Sequence, residues 1–157
     1  MLNNQTIEKL HRLRLPGMAE ALTQQLSQPA THDELGFEER LALLVDREAI
    51  QRDNSKVARL LKAARLKLQA YPENIDYSHP RGLKKSQFAD LLSGCWIHQH
   101  NNVLITGPTG CGKTYLGCVL GNQACRQGFQ VRYFRMSRLM ESLSIAHGDG
   151  RFTKLVH

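Results

Sequence analysis

Apolar residues in the first part of the chain recur every three to four positions, which is the period of an amphipathic helix. The pattern begins near Ile7 and is interrupted at Pro16 and Gly17, a dipeptide that predicts a break between two helices. It continues over residues 37–45 and again over residues 52–69. The first part of the chain is therefore predicted to be entirely helical.

One face of the helix predicted over residues 52–69 is basic. At 100° per residue four cations fall beside the apolar face, and they are Arg52, Lys56, Arg59 and Lys67. Such a row can contact the phosphates of DNA, because phosphate contacts dominate nonspecific affinity for nucleic acid. A helix face that is simply solvated shows the same pattern, so both interpretations stay open.

The periodicity changes after residue 100. Residues 103–106 are a short apolar run that predicts a buried strand, and residues 129–134 are β-branched and aromatic enough to predict another. Between them, residues 113–126 have a helical apolar face that ends before Gly128. A further helix is expected from residue 137 to about residue 146. This order of strand, helix and strand predicts an α/β architecture.

The domain organisation follows from these patterns. We expect a helical N-terminal domain over residues 1–70, a linker and joint over residues 71–100, and the start of an α/β domain over residues 101–157. Pro72 stops the helical pattern, and Pro80 lies in a second stretch of turn-forming residues. The sequence therefore predicts two domains joined by a turn-rich segment.

The strongest chemical signal lies between the first predicted strand and the helix after it. The sequence there matches G-x-x-x-x-G-K-[ST] at every fixed position, over Gly107, Pro108, Thr109, Gly110, Cys111, Gly112, Lys113 and Thr114. Glycines let the backbone wrap a phosphate with its N–H groups pointing inward, and the start of a helix adds a partial positive charge. Lys113 can reach the β- and γ-phosphates of ATP, and the Thr114 hydroxyl can bind Mg²⁺. We therefore predict a binding site for ATP and Mg²⁺.

Hydrolysis of ATP by such a loop also needs an acidic residue at the end of a second apolar strand. Residues 41–46 imitate that pattern, but they precede the phosphate loop and keep the helical period, so we predict helix there. After Thr114 the only acidic residues are Glu141 and Asp149, and neither follows a predicted strand. The sequence therefore identifies no catalytic residue.

Composition and charge narrow the class of protein. The 157 residues carry 21 Lys and Arg against 14 Asp and Glu, and 41% of them are hydrophobic, which is typical of a soluble globular chain. No apolar run approaches the about 20 residues that a membrane span needs, and the first residues do not resemble a secretory signal. The four cysteines do not form the pattern of a secreted disulfide framework. We therefore expect a cytoplasmic protein with no membrane anchor.

Four motifs together resemble those of a known family. They are Arg14-Leu15-Pro16-Gly17-Met18-Ala19, Leu44-Val45-Asp46-Arg47-Glu48, Leu60-Leu61-Lys62-Ala63-Ala64-Arg65-Leu66 and residues 102–114, in the order in which they occur in IstB-like proteins. These proteins are the helper ATPases of insertion-sequence transposition, related to the DnaC helicase loaders and to AAA+ proteins in fold. The resemblance extends from about Leu10 to Lys154, and the N-terminal motifs narrow it from the P-loop superfamily to this family.

The resemblance implies a helical N-terminal domain followed by an α/β AAA+ ATPase. It also implies that residues 107–114 bind ATP, with Lys113 on phosphate and Thr114 on Mg²⁺. Members of the family assemble on DNA as homo-oligomers and recruit a cognate transposase. The resemblance thus makes the basic helix, with Arg52, Lys56, Arg59 and Lys67, a candidate for contact with DNA phosphates.

The sequence departs from the family pattern at its end. Members of the family continue with a Mg²⁺-binding acid, a sensor residue and an arginine finger, and this sequence contains none of the three. The resemblance also implies a sheet in which the first two strands are not neighbours, so the strands at residues 103–106 and 129–134 are expected to lack their partners. We expect a truncated copy that binds ATP without the means to hydrolyse it. Alternatives are a DnaC-like helicase-loader fragment and a noncatalytic module that binds DNA or transposase.

Overall fold

Helices account for the regular secondary structure in the residues that the computed structural model describes, which are 2–32, 34–78, 82–150 and 152. Within these ranges the elements are α1 (Leu2–Arg12), α2 (Pro16–Ser27), α3 (Pro29–His32), α4 (Phe37–Ala64), a 3₁₀ turn (Pro72–Asn74), α5 (Lys85–Leu92), α6 (Cys95–His98), α7 (Lys113–Arg126) and α8 (Met136–Gly148). The chain divides into two compact units, the first ending at Arg59 and the second beginning at Leu60.

In the first unit, α1 and α2 are separated where the sequence predicts a break. Arg14 adopts a left-handed backbone with φ of 59°, and α2 begins at Pro16, whose ring is suited to the first position of a helix. The Leu15 N–H donates to the Leu10 carbonyl at 3.0 Å and closes the end of α1. The predicted break between the two helices is therefore confirmed.

The start of α2 packs closely against α4. Gly17 is buried, and a Cβ added to it would lie 2.8 Å from the Arg47 carbonyl oxygen. Glu48, only 6% exposed, accepts hydrogen bonds from the N–H groups of Gly17 (2.8 Å) and Met18 (3.2 Å) through Oε2. Because the first N–H groups of a helix have no partners within it, the Glu48 carboxylate supplies the missing cap of α2.

α4 is one continuous helix where the sequence pattern suggests two stretches. Residues 41–46 lie inside it, which confirms that their resemblance to the acidic strand of an ATPase is coincidental. The helix ends at Ala64, however, and not near residue 69 as predicted. Arg65 takes a left-handed φ of 49°, which ends the helix, and the side chain of Leu66 packs against the core of the second unit.

The core of the second unit forms around α7. Its buried members are Ala70, Ile75, Phe88, Leu116, Cys118, Val119 and Leu120, to which partly buried side chains such as Val103, Ile105 and Tyr133 are packed. Phe88 comes from α5, while four of the core residues come from α7. The predicted apolar face of residues 113–126 is thus confirmed as the centre of this unit.

The two predicted strands do not form in the part of the chain that the structure describes. At residues 103–106 the apolar side chains still alternate, since Val103 and Ile105 pack on the core and Leu104 is 89% exposed. Within residues 129–134 the Tyr133 N–H donates to the Ala64 carbonyl at the end of α4 (3.0 Å), where a strand would pair with a neighbour. A strand needs a hydrogen-bonding partner along its length, and neither segment has one within the described residues. The α/β architecture is therefore not confirmed.

α4, with 28 residues, is the longest helix described. A helix that crosses a bilayer needs about 20 consecutive, mostly apolar residues. Charged side chains interrupt α4 throughout its length. Among the described residues, none of the helices combines the length and the apolar character that a membrane crossing requires.

Candidate functional site

The predicted phosphate loop lies immediately before α7. Gly110 and Gly112 have φ values of 85° and 89°, in the left-handed region that glycine adopts at no steric cost. Gly112 directly precedes the first residue of the helix. Residues 107–110 are exposed. The loop thus presents an accessible, glycine-rich backbone at a helix start, which is the geometry suited to a phosphate group.

The Lys113 amine lies over this loop. Its Nζ donates hydrogen bonds to the carbonyl oxygens of Gly107 (2.8 Å) and Pro108 (2.6 Å). Both acceptors are neutral, and a lysine bonds more strongly to an anionic oxygen than to a carbonyl. A phosphate that enters the loop can therefore replace these two partners.

α7 anchors the loop because half of this helix is buried. Seven of its fourteen residues are inaccessible, which fixes the position of its first turn. Cys118 and Cys125 are both fully buried and free, and burial raises the pKa of the Cys125 thiol. These two thiols therefore pack in the core. The residues of α7 that can contact a ligand are those at its exposed start.

Thr114 and Cys111 are the remaining residues of the predicted phosphate loop to be described. Thr114 is exposed in the first turn of α7, and its hydroxyl is a hard oxygen of the kind that Mg²⁺ prefers. The Cys111 Sγ lies 3.9 Å from Lys113 Nζ, and a Cβ on Gly107 would approach this sulfur to 3.1 Å. The described residues hold no group of three or more His, Cys, Asp or Glu that could bind a metal ion by themselves. Thr114 is the residue here that fits Mg²⁺, together with the phosphates of a nucleotide.

Three of the four cations predicted to contact DNA lie together in the first unit. Arg52, Lys56 and Arg59 of α4 line a groove of about 500 Å³. His11 of α1 and Arg14 of the turn after it line the same groove, which we call the first cationic groove. The sequence analysis assigned neither His11 nor Arg14 to this site. They are about 40 positions away from the α4 cations along the chain, and the fold brings them near.

Glu48 lies at the wall of this groove and binds Arg52. The Arg52 Nε donates to Glu48 Oε1 at 2.8 Å. This hydrogen bond, together with those from the Met18 and Gly17 N–H groups, holds the pKa of Glu48 below its ordinary value. Arg52 thus forms an ion pair within the first unit. Lys56 and Arg59 have exposed side chains with no ion pair among the described residues.

The prediction that Lys67 shares a helix face with Arg52, Lys56 and Arg59 is wrong. α4 ends at Ala64, so Lys67 lies beyond the helix and in the second unit. It lines a different groove with a larger set of cations, which we call the second cationic groove, namely Arg65, Lys67, Arg132, Arg135 and Arg138. A signal for three of its arginines, Arg132, Arg135 and Arg138, was present in the sequence, where residues 91–157 carry seven Lys and Arg against two Asp and Glu.

Comparison with known families adds the evolutionary context. The family described as IstB-like ATP binding protein matches residues 8–157, which is nearly the whole chain. The matched range contains the residues of the phosphate loop and of α4. The region of similarity therefore covers both units.

Individual relatives come from bacterial insertion sequences. A protein of insertion sequence IS1162 from Pseudomonas fluorescens, named as an ATP-binding protein, is 51% identical over 97% of this chain. Two insertion-sequence proteins of Sinorhizobium fredii, named y4pL and y4uH and likewise described as ATP-binding, are 42% identical over 99% and 43% identical over 96% of it. The chain spans 66%, 63% and 60% of the lengths of these three relatives, respectively.

Proposed function

Because the chain belongs to the family of IstB-like ATP-binding proteins, we propose that it is an ATP-binding helper of insertion-sequence transposition. The observation that carries this proposal is the exposed glycine loop at the start of α7, with Lys113 placed over it. The names of the relatives place them in insertion sequences, which favours transposition over helicase loading as the context.

In the proposed complex, the backbone of Gly107, Gly110 and Gly112 surrounds the phosphates of ATP, and the partial positive charge at the start of α7 favours them. Lys113 exchanges its two carbonyl partners for phosphate oxygens. Thr114 binds Mg²⁺, which neutralises part of the phosphate charge. The α/β AAA+ architecture of the family is part of this proposal, with residues 103–106 and 129–134 as strands once they are paired.

We assign no hydrolytic step to these residues. After Thr114 the acidic residues are Glu141, exposed in α8, and Asp149, at the end of that helix. Neither is placed on a strand beside the phosphate loop, where a P-loop ATPase carries its magnesium-binding acid. The proposed role of the described residues is to bind ATP, in a cytoplasmic protein that also contacts DNA and protein partners.

The first cationic groove is the proposed contact with DNA. Arg14, Arg52, Lys56 and Arg59 bring four permanent positive charges to one groove, opposed by the single carboxylate of Glu48. Such a surface neutralises phosphates without selecting a sequence. The family resemblance adds a cognate transposase and further copies of the chain as partners.

Titration with a fluorescent ATP analogue in the presence of Mg²⁺ tests the nucleotide site. Lys113→Ala should weaken binding by about 10- to 100-fold, since a hydrogen bond to a charged group contributes about 1.5–3 kcal/mol. Lys84→Ala, which removes an exposed lysine elsewhere in the second unit, is the matched control and should leave the affinity unchanged. Equal affinity of Lys113→Ala and wild type would show that the loop does not bind nucleotide.

The DNA contact is tested separately with a duplex of arbitrary sequence and a series of salt concentrations. The double variant Lys56→Ala, Arg59→Ala should reduce the slope of log affinity against log salt by roughly 1.8, because each phosphate that a cation neutralises on a duplex accounts for about 0.9. Lys9→Ala, Arg12→Ala removes the same charge from exposed positions of α1 outside the groove and should change the slope little. A wild-type affinity that does not depend on salt contradicts the proposal.

If Lys113→Ala changed neither ATP affinity nor DNA affinity, the noncatalytic DNA-binding module would be the better description. If only the nucleotide titration failed for wild type, the DNA result would still stand, because the groove and the phosphate loop belong to different units. The two experiments therefore separate the functions that the sequence left open.

A further inference from the structure

The second unit contains a groove that the proposed nucleotide site does not use. It has a volume of about 590 Å³ and lies between the residues that follow α4 and the first turns of α8. Five of its eleven lining residues are cations and none is acidic; the cations are Arg65, Lys67, Arg132, Arg135 and Arg138. All belong to the second unit, which begins at Leu60.

Among the described residues, no side chain forms an ion pair with a cation of this second cationic groove. The three ion pairs among the described residues use Arg47, Arg52 and Arg126, and none of the groove cations. Cations that line one groove repel one another, and the repulsion is relieved when an anion binds among them. The electrostatic potential of the groove therefore favours the binding of a negatively charged ligand.

The start of α8 adds to the same field. Arg135 precedes the helix and Arg138 lies in its first turn, where acidic residues are the favourable choice. The first turn of α8 contains no acidic residue, and no side chain caps its N–H groups. Two arginines thus lie at the positive end of a helix of thirteen residues, an arrangement that an anionic ligand would stabilise.

One feature of the groove indicates which kind of anion fits it. Phe134 lines the groove between Arg132 and Arg135 in the chain, and it is 56% exposed although its ring is apolar. A free phosphate or an acidic peptide gains little from such a ring, whereas a nucleic acid base can stack on it.

We propose that the second cationic groove binds single-stranded nucleic acid, with the arginines on phosphates and Phe134 stacked against a base. The combination of cations that follow the backbone and an exposed aromatic ring is the one that proteins use for unpaired strands. In a duplex the bases are stacked on each other and their faces are not available to Phe134. The inference goes beyond the proposed function, which places duplex DNA on the first cationic groove.

Fluorescence anisotropy of the full chain with a labelled poly-dT oligonucleotide tests the proposal. Arg135→Ala, Arg138→Ala should weaken binding at least about tenfold and reduce the salt slope by roughly 1.4, because each phosphate neutralised on a single strand accounts for about 0.7. Phe134→Ala should weaken it by about 5- to 100-fold, which is the range that stacking on one base supplies. Lys84→Ala, Lys85→Ala, two exposed lysines of the same unit outside the groove, should leave both quantities near wild type.

A conservative variant distinguishes loss of positive charge from misfolding. Arg135→Lys, Arg138→Lys keeps both charges and should retain most of the affinity that the alanine variant loses. The melting temperature of each variant shows whether the second unit is still folded. Titration with the ATP analogue shows whether the phosphate loop still binds nucleotide. Loss of oligonucleotide binding with unchanged nucleotide binding supports the groove and leaves the proposed function untouched.

Three results would overturn the proposal. The first is equal affinity of Phe134→Ala and wild type for poly-dT, which would remove the stacking role. The second is tighter binding of a duplex than of the single strand in a Lys56→Ala, Arg59→Ala background, where the first cationic groove is weakened. The third is competition by poly-glutamate as effective as that by unlabelled poly-dT, which would identify an acidic protein segment as the occupant.

Discussion

Replacing Gly17 with alanine tests the contact that holds the first unit together. A Cβ at this position would lie 2.8 Å from the Arg47 carbonyl oxygen, 2.8 Å from the Glu48 Cα and 3.0 Å from the Gln51 Cβ. Ordinary contact begins at 3.4 Å, so all three approaches are too short. Two of the atoms belong to the backbone of α4 and cannot rotate away, so α2 must move.

The size of the effect follows from two opposing contributions. Adding a methyl group to a tightly packed contact costs about 1–3 kcal/mol. Alanine favours a helix over glycine by up to about 1 kcal/mol, which offsets part of this cost. We therefore expect the free energy of unfolding to fall by about 1–2 kcal/mol, which lowers the melting temperature of a unit this small by about 5–15 °C.

Thermal unfolding followed by far-UV circular dichroism measures this change. Gly117→Ala is the matched control, because Gly117 also lies in a helix but a Cβ there would have no neighbour within 4 Å. That variant should be more stable than wild type by about 0.5–1 kcal/mol. If Gly17→Ala melted at or above the wild-type temperature, the close contact between α2 and α4 would be refuted.

The same variant also connects stability to function. The Gly17 N–H donates to Glu48, which in turn binds Arg52 at the wall of the first cationic groove. Moving α2 away from α4 therefore disturbs this groove, and duplex DNA affinity should fall. ATP affinity should not change, because the phosphate loop lies in the other unit.

Two further predictions concern other residues of the grooves. The hydrogen bond from Arg52, with those from Met18 and Gly17, keeps the pKa of Glu48 below 4.5, so its stabilising contribution is complete above about pH 4.5 and is lost as the pH falls through the lower folded-state value. Melting temperatures measured into the acid range should fall less steeply for Glu48→Gln than for wild type, and parallel profiles would contradict this. Arg65→Asn relieves a left-handed φ of 49° in favour of a residue that tolerates it, so the free energy of unfolding should rise by up to about 1 kcal/mol while poly-dT affinity falls. A variant that is less stable than wild type, or that binds the oligonucleotide equally well, would contradict the assignment of Arg65.

Local sequence patterns predicted those elements that depend on local interactions. The break at Pro16, the helix over residues 113–126 and the glycine loop before it all follow from backbone preferences and short-range spacing, and the structure contains each of them. Residues 41–46 were correctly identified as helical because their apolar period extends in both directions along α4.

Predictions were wrong or are not confirmed where the outcome depends on distant residues. α4 ends at Ala64, after which Arg65 turns the chain and Leu66 packs on the core of the second unit. Because α4 ends before Lys67, this residue lines the second cationic groove and does not share the helix face of Arg52, Lys56 and Arg59. Residues 103–106 and 129–134 have the composition of strands, but a strand also needs a partner, which is not a property of its own sequence.

The phosphate loop, the largely helical first half and the family of this chain were all evident from the order of its residues. Each is encoded in a continuous segment, or in the succession of such segments, and requires no knowledge of the fold. The membership of each groove, in contrast, is set by folding, since His11 and Arg14 reach the α4 cations through the packing of Gly17 on Glu48. Folding likewise brings Arg65 and Arg138 to one groove, and electrostatic fields depend on such distances in space and not on separation along the chain.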